Sequence, residues 1–441
     1  MRIDRLEIQN FKKFERAVLD LHPQFALLVG ENGSGKTSIL DALAVSLSVW
    51  LVYPPDAQVR SSGRQILKNE IRLEPLHKGD RIQFRECIPV VIRATGRIGE
   101  HDGVVWTRKL GETGKTTSKD AGQALEIIRD IYQRDGDGED ILCPILAYYG
   151  AGRAWLPSSE RKKRDSTSGG PARRWAAFYD CFNERVRLPD LNQWFRRELT
   201  ASASRQGRMR PGFEAVRRAV IRCTEGADDL WFDPDRDQIV LSIEGQPQPF
   251  DNLSAGQSMM LALVADIAIK AVTQNAHLLP PEELGPEDQA LPRVLRDTPG
   301  VVLIDELDVH LHPRWQRRVA TDLKSTFPAI QFICTTHSPQ VIGEVRREEV
   351  RLLGADGITQ PAVALGADSN WILEHVIGAA SETELARHLQ HEVQEAMDSD
   401  DLPAARGSLE KLADLLQGTT GELAELTTGL ANASLISISN T

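Results

Sequence analysis

The sequence predicts an α/β fold: a mixed sheet carrying an antiparallel β subdomain, an inserted basic helical subdomain, and a small C-terminal helical region. Three observations predict it. An apolar strand, Phe25–Val29, runs into a glycine-rich loop and then a helix. β-like segments broken by glycine occupy residues 81–110. A second fully apolar strand, 301–304, ends on the paired acids Asp305 and Glu306, which places carboxylates where open α/β sheets bind ligands. The 441 residues exceed the size at which one core usually stops growing, so one large domain with insertions, or two domains, fits. With 41% apolar and 26% charged residues, global disorder is excluded.

Taken in order, residues 1–29 read as short strands, with Leu6 and Ile8 alternating before a polar turn and Leu19 and Leu21 after it. From Ser38 to Leu51, Ile39, Leu40, Leu43 and Leu47 give helical content, and Pro54-Pro55 stop it. Ile82, Phe84, Val90–Ile92 and Val104–Trp106, separated by Gly96, Gly99 and Gly103, read as antiparallel strands. A helix from about Asp120 to Gln133, a loop at 135–140 and a buried strand from Ile141 to Tyr148 follow. Residues 253–272 form a helix candidate and 275–299 a Pro-rich connection. Pro313 suits a first helical turn, after which Trp315, Val319 and Leu323 recur every fourth residue. Strand Ile330–Cys334 comes next, then short strands, a helical region at about 381–430 and a polar tail ending at Thr441. There is no internal repeat and no sustained heptad. The expected divisions are 1–149, an N-terminal lobe with the β subdomain; 150–250, the basic helical insertion; 251–380, a C-terminal lobe; and 381–441, a helical region and tail.

The formal charge of −11 disfavours long-range attraction to nucleic acid or anionic membranes. It is unevenly spread: residues 150–222 hold 17 Lys or Arg against 7 Asp or Glu, an excess of about +10. That stretch opens with a Ser/Gly/Lys/Arg loop at 158–170 and carries Trp175, Phe178, Phe182, Trp194 and Phe195 at roughly helical spacing. It reads either as a solvated insert whose aromatics form its own core, or as a docking face for nucleic acid or an acidic partner through Arg196, Arg197, Arg217 and Arg218. The five cysteines are odd in number and never paired as C-x-x-C, which suggests neither a zinc site nor a disulfide framework and fits a reducing compartment. Met1–Asp20 lacks a continuous apolar core, against a signal peptide. The apolar stretch Met259–Val272, interrupted by Asp266 and Lys270, is shorter than the roughly 20 residues of a membrane span. A cytoplasmic chain with no membrane partner is expected.

The strongest signal is GENGSGKT at 30–37, which fits G-x-x-x-x-G-K-[ST] between a strand and a helix. Glycines let backbone N–H groups close around phosphate oxygens, and the helix N-terminus adds positive potential. The nucleotide-binding set read from this loop is Gly30, Asn32, Gly33, Ser34, Gly35, Lys36, Thr37 and Ser38. Lys36 reaches the β- and γ-phosphates, and the Thr37 hydroxyl binds Mg²⁺. Asp305 holds the same ion mainly through water, while Glu306 orients or deprotonates an attacking water. In LSAGQ at 253–257, Ser254, Ala255, Gly256 and Gln257 present a hydroxyl, backbone N–H groups and a helix N-terminus to an anion. Thr336-His337-Ser338 follows strand 330–334.

In this order the motifs resemble those of the ABC-type ATPases, whose signature is LSGGQ; Ala255 departs from the second glycine. The resemblance implies an ABC-type P-loop ATPase head that takes ATP and Mg²⁺. It also implies that the signature loop of one subunit closes over the γ-phosphate held by the other, joining a head-to-tail pair. On the same resemblance His337 is the switch histidine that contacts the γ-phosphate, and Glu306-Leu307-Asp308 is the D-loop, with Asp308 facing the dimer partner. Asn10-Phe11-Lys12-Lys13-Phe14 resembles the N-F-[KR]-x-[FY] opening of the RecF, Rad50 and SMC-like branch, which places Lys12 or Lys13 near the phosphates. Asn32 is typical of that branch. Ala147–Arg153 occupies the place of the Q-loop but contains no Gln, so the Q-loop metal ligand is unassigned. His310-x-His312 lacks a third ligand at suitable spacing, and a packed motif explains it better than a metal site does.

Without heptads or C-x-x-C the chain is a compact head, lacking the arms and zinc hook of Rad50 and the arms of SMC proteins. After His337 the acids fall in helix-like or terminal sequence, Asp398-x-Asp400 included, so the Toprim nuclease appended in OLD-type proteins is not expected. AYYGAGR, TPGVVLIDELDVHLHPRWQ and THSPQVI resemble compact bacterial AAA-type ATP-binding proteins, including the PtuA-like ATPase subunits of Septu and retron-linked anti-phage systems. There the ATPase works with a separate HNH nuclease that nucleotide state gates. The alternatives are a DNA repair or recombination ATPase acting directly on DNA, and an ATP-stabilised scaffold with little turnover.

Overall fold

The structure, a computed structural model, describes residues 1–55, 63–78, 81–152, 174–280, 290–354, 357–378, 384–399, 401–416, 423–424 and 426–431. The basic loop at 158–170 and the end of the polar tail lie outside the described residues. The chain divides into two compact units, Met1–Asp368 and Ser369–Thr441.

The first unit begins with β1 (Arg2–Phe11), β2 (Phe14–Asp20) and β3 (Phe25–Val29), then α1 (Lys36–Leu47). β4 (Leu73–Lys78) and β5 (Arg81–Glu86) form a hairpin, followed by β6 (Val90–Ile98), β7 (His101–Leu110), β8 (Thr116–Thr117), α2 (Gly122–Gly136) and β9 (Ile145–Tyr149). The insertion holds α3 (Leu188–Ala203), α4 (Pro211–Cys223) and the strands β10 (Ala227–Asp233), β11 (Gln238–Ile243) and β12 (Gln246–Pro249). The chain then returns through α5 (Ala255–Gln274), α6 (Arg293–Asp297), β13 (Gly300–Ile304), α7 (Pro313–Thr326), β14 (Ile330–Thr336), α8 (Pro339–Ile342), β15 (Val350–Gly354) and β16 (Gly357–Thr359).

Six strands form the central sheet in the order β16-β15-β3-β14-β13-β9, parallel except for the edge strand β16. β3, β9, β13 and β14 are buried along their whole length. Parallel strands covered on both faces read as continuous apolar runs, and these do. The antiparallel subdomain runs β2-β1-β6-β7-β8, and α1 contacts strands of both sheets. Its residues from Ile39 to Leu47 are all buried, which is why this helix is apolar all round rather than amphipathic. Gln331, on β14, pins the sheets together: its amide accepts from Ile3 N at 2.8 Å and donates to the carbonyls of Ile3 and His22 at 2.7 and 3.0 Å.

Three local readings shift. The helix after the glycine-rich loop starts at Lys36, not Ser38, and its last turn, Ser48–Leu51, tightens to a 3₁₀-helix. The strand read from Ile141 begins only at Ile145, because Pro144 has no N–H for a ladder. Cys143 is held instead by the Asn275 side chain, with two bonds of 2.9 Å. Residues 227–249, read as part of a helical insertion, form the three-stranded sheet β10-β11-β12; Leu230, Phe232, Ile239 and Leu241 supply its buried positions.

The insertion's aromatics are core. Trp175 and Phe178 join the main core beside Trp50 and Tyr132, while Trp194 stacks on Phe213 and Phe195 meets Phe213 edge-on at 5.8 Å. Its arginines answer its own acids: Arg196 pairs with Asp237, Arg217 with Asp229 at 2.7 Å, and Arg218 with Glu214 at 3.0 Å. The apolar helix α5, the one helix among the described residues long and apolar enough to cross a bilayer, packs against α4, α3 and β9. In the second unit, helices Glu384–Asp398 and Leu402–Leu416 contact one another around Ala386, Leu389, Leu412 and Leu423.

Because Phe213 is a buried partner of two other rings, Phe213→Ala is expected to cost about 3–5 kcal/mol in denaturant unfolding of the first unit. A docking aromatic on the surface would leave the midpoint unchanged.

Candidate functional site

β3 delivers the chain to the loop Gly30–Gly35, and α1 departs from it. Gly35 caps α1 at φ 104°, a left-handed conformation, and a Cβ there would fall 2.5 Å from the Phe14 ring and 2.9 Å from Lys13 Cδ. The NFKKF turn therefore packs directly on the loop. At Gly33, φ 77°, no atom lies within 4 Å of a Cβ position, so that side of the loop is open. Asn32 and Thr37 are exposed on the rim and Ser38 is half-buried. Ser34 Oγ is buried without a hydrogen-bond partner. Lys36 Nζ donates to the carbonyls of Gly30 and Glu31 at 2.8 and 3.0 Å. Burial lowers the Lys36 pKa, while Asp305, Glu306 and Asp308 nearby act to raise it.

The parallel ladder brings the ends of β13 and β14 to this loop, and Thr37 Oγ1 donates to Asp305 Oδ2 at 2.9 Å. On its other oxygen Asp305 accepts from Thr335 Oγ1 at 2.6 Å, and the same hydroxyl accepts from Glu306 N at 2.7 Å. Thr335 is completely buried. Glu306 itself sits at φ 50°, a strained conformation for a non-glycine residue of the kind that gathers at functional sites. Sequence reasoning missed Thr335; its signal was a hydroxyl at the end of a largely apolar strand, just before Thr336-His337.

Asp308, which the resemblance turns toward the dimer partner, has one carboxylate oxygen bonded within its own chain. Its Oδ1 accepts from Thr336 Oγ1 and, at 3.4 Å, from His337 N, so it ties the D-loop to the end of β14 within its own chain. Asp308 thus joins the site from inside, and the His337 backbone is fixed by it. Ser254 and Gln257 form a capping box: Ser254 Oγ accepts from Gln257 N at 3.3 Å, and Gln257 Oε1 accepts from Ser254 N at 2.9 Å. Ala255 is the first residue of α5. Gly256 follows, where a Cβ would fall 2.7 Å from the His310 carbonyl, so this glycine lets the signature helix lie against the D-loop of the same chain. His312 Nδ1 accepts from Arg314 N at 3.3 Å and caps α7, a structural role that fits the packed-motif reading.

Of the two turn lysines, only Lys13 reaches the loop, donating to Gly33 O at 2.6 Å. Lys12 pairs with Asp41 and, at 3.5 Å, with Glu70, and Arg64 bonds the same two acids. This charged group lies under α1, one turn beyond Thr37. Tyr149 joins the site to the signature helix: its carbonyl accepts from Asp305 N at 2.8 Å and its hydroxyl donates to Asp266 Oδ2 at 2.6 Å. Asp266 also pairs with Lys270. At the place of the absent Gln, Gly150 N donates to Glu184 O at 2.8 Å; Arg153 of that string lies outside the described residues.

These groups fit a phosphate with a hard divalent cation. Mg²⁺ takes one or two protein oxygens and fills its shell with phosphate oxygens and water, and the Thr37 hydroxyl and Asp305 carboxylate are such a pair. The open side at Gly33, the orphaned Ser34 hydroxyl and a lysine held only by loop carbonyls suit an anion. Among the described residues no set of three His, Cys, Asp or Glu could hold a metal unaided.

The strand-end acids, the glycine-rich loop and the signature helix, arranged on this sheet, define an ABC-type ATPase head. Two family models match: "AAA domain" over residues 5–199, and "AAA domain, putative AbiEii toxin, Type IV TA system" over residues 237–343, together more than half of the chain. The chain is 40% identical over 129 residues to the Retron Ec83 probable ATPase of Escherichia coli, covering 29% of this chain and 21% of that protein. It is 23% identical to the Retron Vc95 probable ATPase of Vibrio cholerae, covering 80% of this chain and 73% of that one. With the Septu protein PtuA of Bacillus mycoides it shares 26% identity over 80% of this chain and 40% of the relative. The matches thus span well under two thirds of the Ec83 ATPase and of PtuA. A solved SMC head domain from Thermotoga maritima is 15% identical, covers 82% of this chain and 100% of its own, and superposes with a TM-score of 0.44. Over most of its length the chain is similar to AAA-domain proteins, and the retron and Septu ATPases are among its relatives.

Thr335→Val removes the hydroxyl that joins Asp305 to Glu306 N and leaves both buried groups short of a partner. It is expected to lower stability by about 1–3 kcal/mol, with Thr335→Ser recovering most of the loss, as read by denaturant unfolding.

Proposed function

We propose that this chain binds ATP with Mg²⁺ and hydrolyses it as one half of a head-to-tail pair, and that its nucleotide state gates a separate nuclease in cytoplasmic anti-phage defence. The observation that carries the reading is the continuous set of bonds from Thr37 through Asp305 and Thr335 to Glu306 N, which couples the loop that would hold the phosphates to the residue that would handle water.

Gly30, Gly33 and Gly35 let backbone N–H groups approach the phosphates, with Asn32, Ser34 and Ser38 lining the same loop. Lys36 exchanges its two carbonyl partners for β- and γ-phosphate oxygens, and Lys13 adds a second cation over Gly33; Lys12 acts only through Asp41. Thr37 and Asp305 would hold Mg²⁺, which would supply positive charge against the phosphate oxygens. Glu306 orients water for in-line attack on the γ-phosphorus and accepts its proton as the bond to ADP breaks. His337, fixed at its backbone by Asp308, contacts the γ-phosphate. Ser254, Ala255, Gly256 and Gln257 of a second copy complete the site: Ser254 is exposed at the N-terminus of α5, a place for negative charge. Support for a separate effector of the HNH type, and for a role in defence, comes from the resemblance to Septu and retron-linked ATPases.

A second reading, duplex nucleic acid held by residues 150–222, is favoured by the +10 excess there and opposed by the internal pairing of Arg196, Arg217 and Arg218. It requires affinity that falls steeply with salt and weakens on Arg197→Glu; a flat salt dependence removes it.

Glu306→Gln is expected to slow ATP turnover about 10²-fold or more while the protein still binds ATP; turnover at the wild-type rate would show that Glu306 is not the base. Neither Lys36→Ala nor Ser254→Arg should hydrolyse ATP alone. Mixing the two should restore part of the activity, because one composite site then has both halves intact, and no recovery would refute the head-to-tail pair.

A further inference from the structure

β9 and β13 pair in parallel with Tyr149 opposite Ile304, so Gly150 stands level with Asp305 at the carboxyl end of the sheet. A Cβ on Gly150 would fall 2.7 Å from Glu184 Oε2 and 2.8 Å from Glu184 Cβ. The Glu184 side chain therefore lies across Gly150, and only glycine leaves it room. The charged groups facing its carboxylate are Asp41 and Asp305 on one side of the balance and Arg64 and Lys12 on the other. Both cations are already bonded to Asp41 and Glu70. An independent observation marks the same spot. Tyr148, on the strand that ends just before Gly150, is only 2% exposed, and its hydroxyl has no hydrogen-bond partner; Asp41, Asp305 and Glu184 act on it electrostatically, opposed by Arg64. A buried hydroxyl without a partner, on the edge of a site that would hold a hydrated cation, calls for a water.

We infer that Glu184 supplies the oxygen missing from the Q-loop position, ligating through a bound water the divalent cation held by Thr37 and Asp305, with the Tyr148 hydroxyl fixing that water. The inference rests on the Mg²⁺–ATP reading above. It makes Glu184, which lies in the insertion and about 150 residues after Lys36 in sequence, a positioning residue for the metal. It also gives the insertion a direct stake in the site: the segment that carries Glu184 is fixed to the sheet through Tyr148 N to Cys181 O and Gly150 N to Glu184 O, both 2.8 Å.

The test is a Mn²⁺ titration followed by electron paramagnetic resonance, on the full chain with a non-hydrolysable ATP analogue, for wild type, Glu184→Ala and Glu184→Gln. Glu184→Ala should weaken Mn²⁺ binding about tenfold or more, and Glu184→Gln by less, since an amide oxygen keeps the geometry without the charge. Affinity for the nucleotide in the presence of EDTA should not change, nor should the melting temperature fall, because the carbonyl that anchors Gly150 is kept. Wild-type Mn²⁺ affinity in Glu184→Ala overturns the inference. If Glu184→Ala does not fold, the near-isosteric Glu184→Gln decides: weakened binding supports the inference and unchanged binding overturns it. If wild type itself holds no Mn²⁺ with the nucleotide, the Mg²⁺–ATP reading fails, and this inference with it.

Discussion

One buried hydroxyl organises this molecule's working end. Thr335 donates a hydrogen bond to Asp305 and accepts one from Glu306 N, and it can do so only because β14 lies between β3 and β13 in the sheet. The bond fixes the carboxylate that Thr37 touches and, in the same stroke, holds the backbone of Glu306 in its left-handed conformation. Strain of this kind persists where neighbours over-determine the geometry. Here the neighbours are two hydrogen bonds and a strand pair, with Leu307 N bonded to the Thr335 carbonyl at 2.8 Å as a third restraint.

Around that point the fold is a clamp with few degrees of freedom. α1 is enclosed by two sheets, so the loop that precedes it cannot drift without disturbing both. Gln331 holds those sheets in register with three bonds from one buried side chain. The NFKKF turn abuts Gly35, and Gly256 lets the signature helix rest on the D-loop. Two of the glycines that a phosphate argument would explain are thus also required by protein packing: Gly35 by Phe14 and Gly256 by His310. Tyr149 adds a tether from Asp305 N to Asp266 on α5, so the nucleotide loop and the signature helix share a rigid neighbour.

The uneven charge takes on a different meaning once the insertion is folded. Its arginines balance acids on α4, on β10 and on the turn before β11, and its rings fill its own core and that of the main unit. What looked like a segregated basic face is in large part internal bookkeeping between neighbouring charges. Exposed pairs of this kind contribute little stability each, but they leave fewer cations free for phosphates than the composition suggests.

By itself the sequence determined the class. The glycine-rich loop, the apolar strand ending in two acids, the capping-box signature and the histidine after a strand are contiguous patterns, and contiguous patterns encode local backbone geometry directly. The strand–loop–helix, most element positions and the insertion between two halves of one site were legible for that reason. Residues 227–249 were not, because their short strands alternate too briefly to stand out beside helices. The tertiary structure decided everything that depends on which distant segments meet: that Lys13 rather than Lys12 reaches the loop, that Asp308 accepts from Thr336, that Thr335 joins the two acids, and that Glu184 lies over Gly150. Each is set by strand register and by close approach of backbones far apart in the chain, and no local spacing records it.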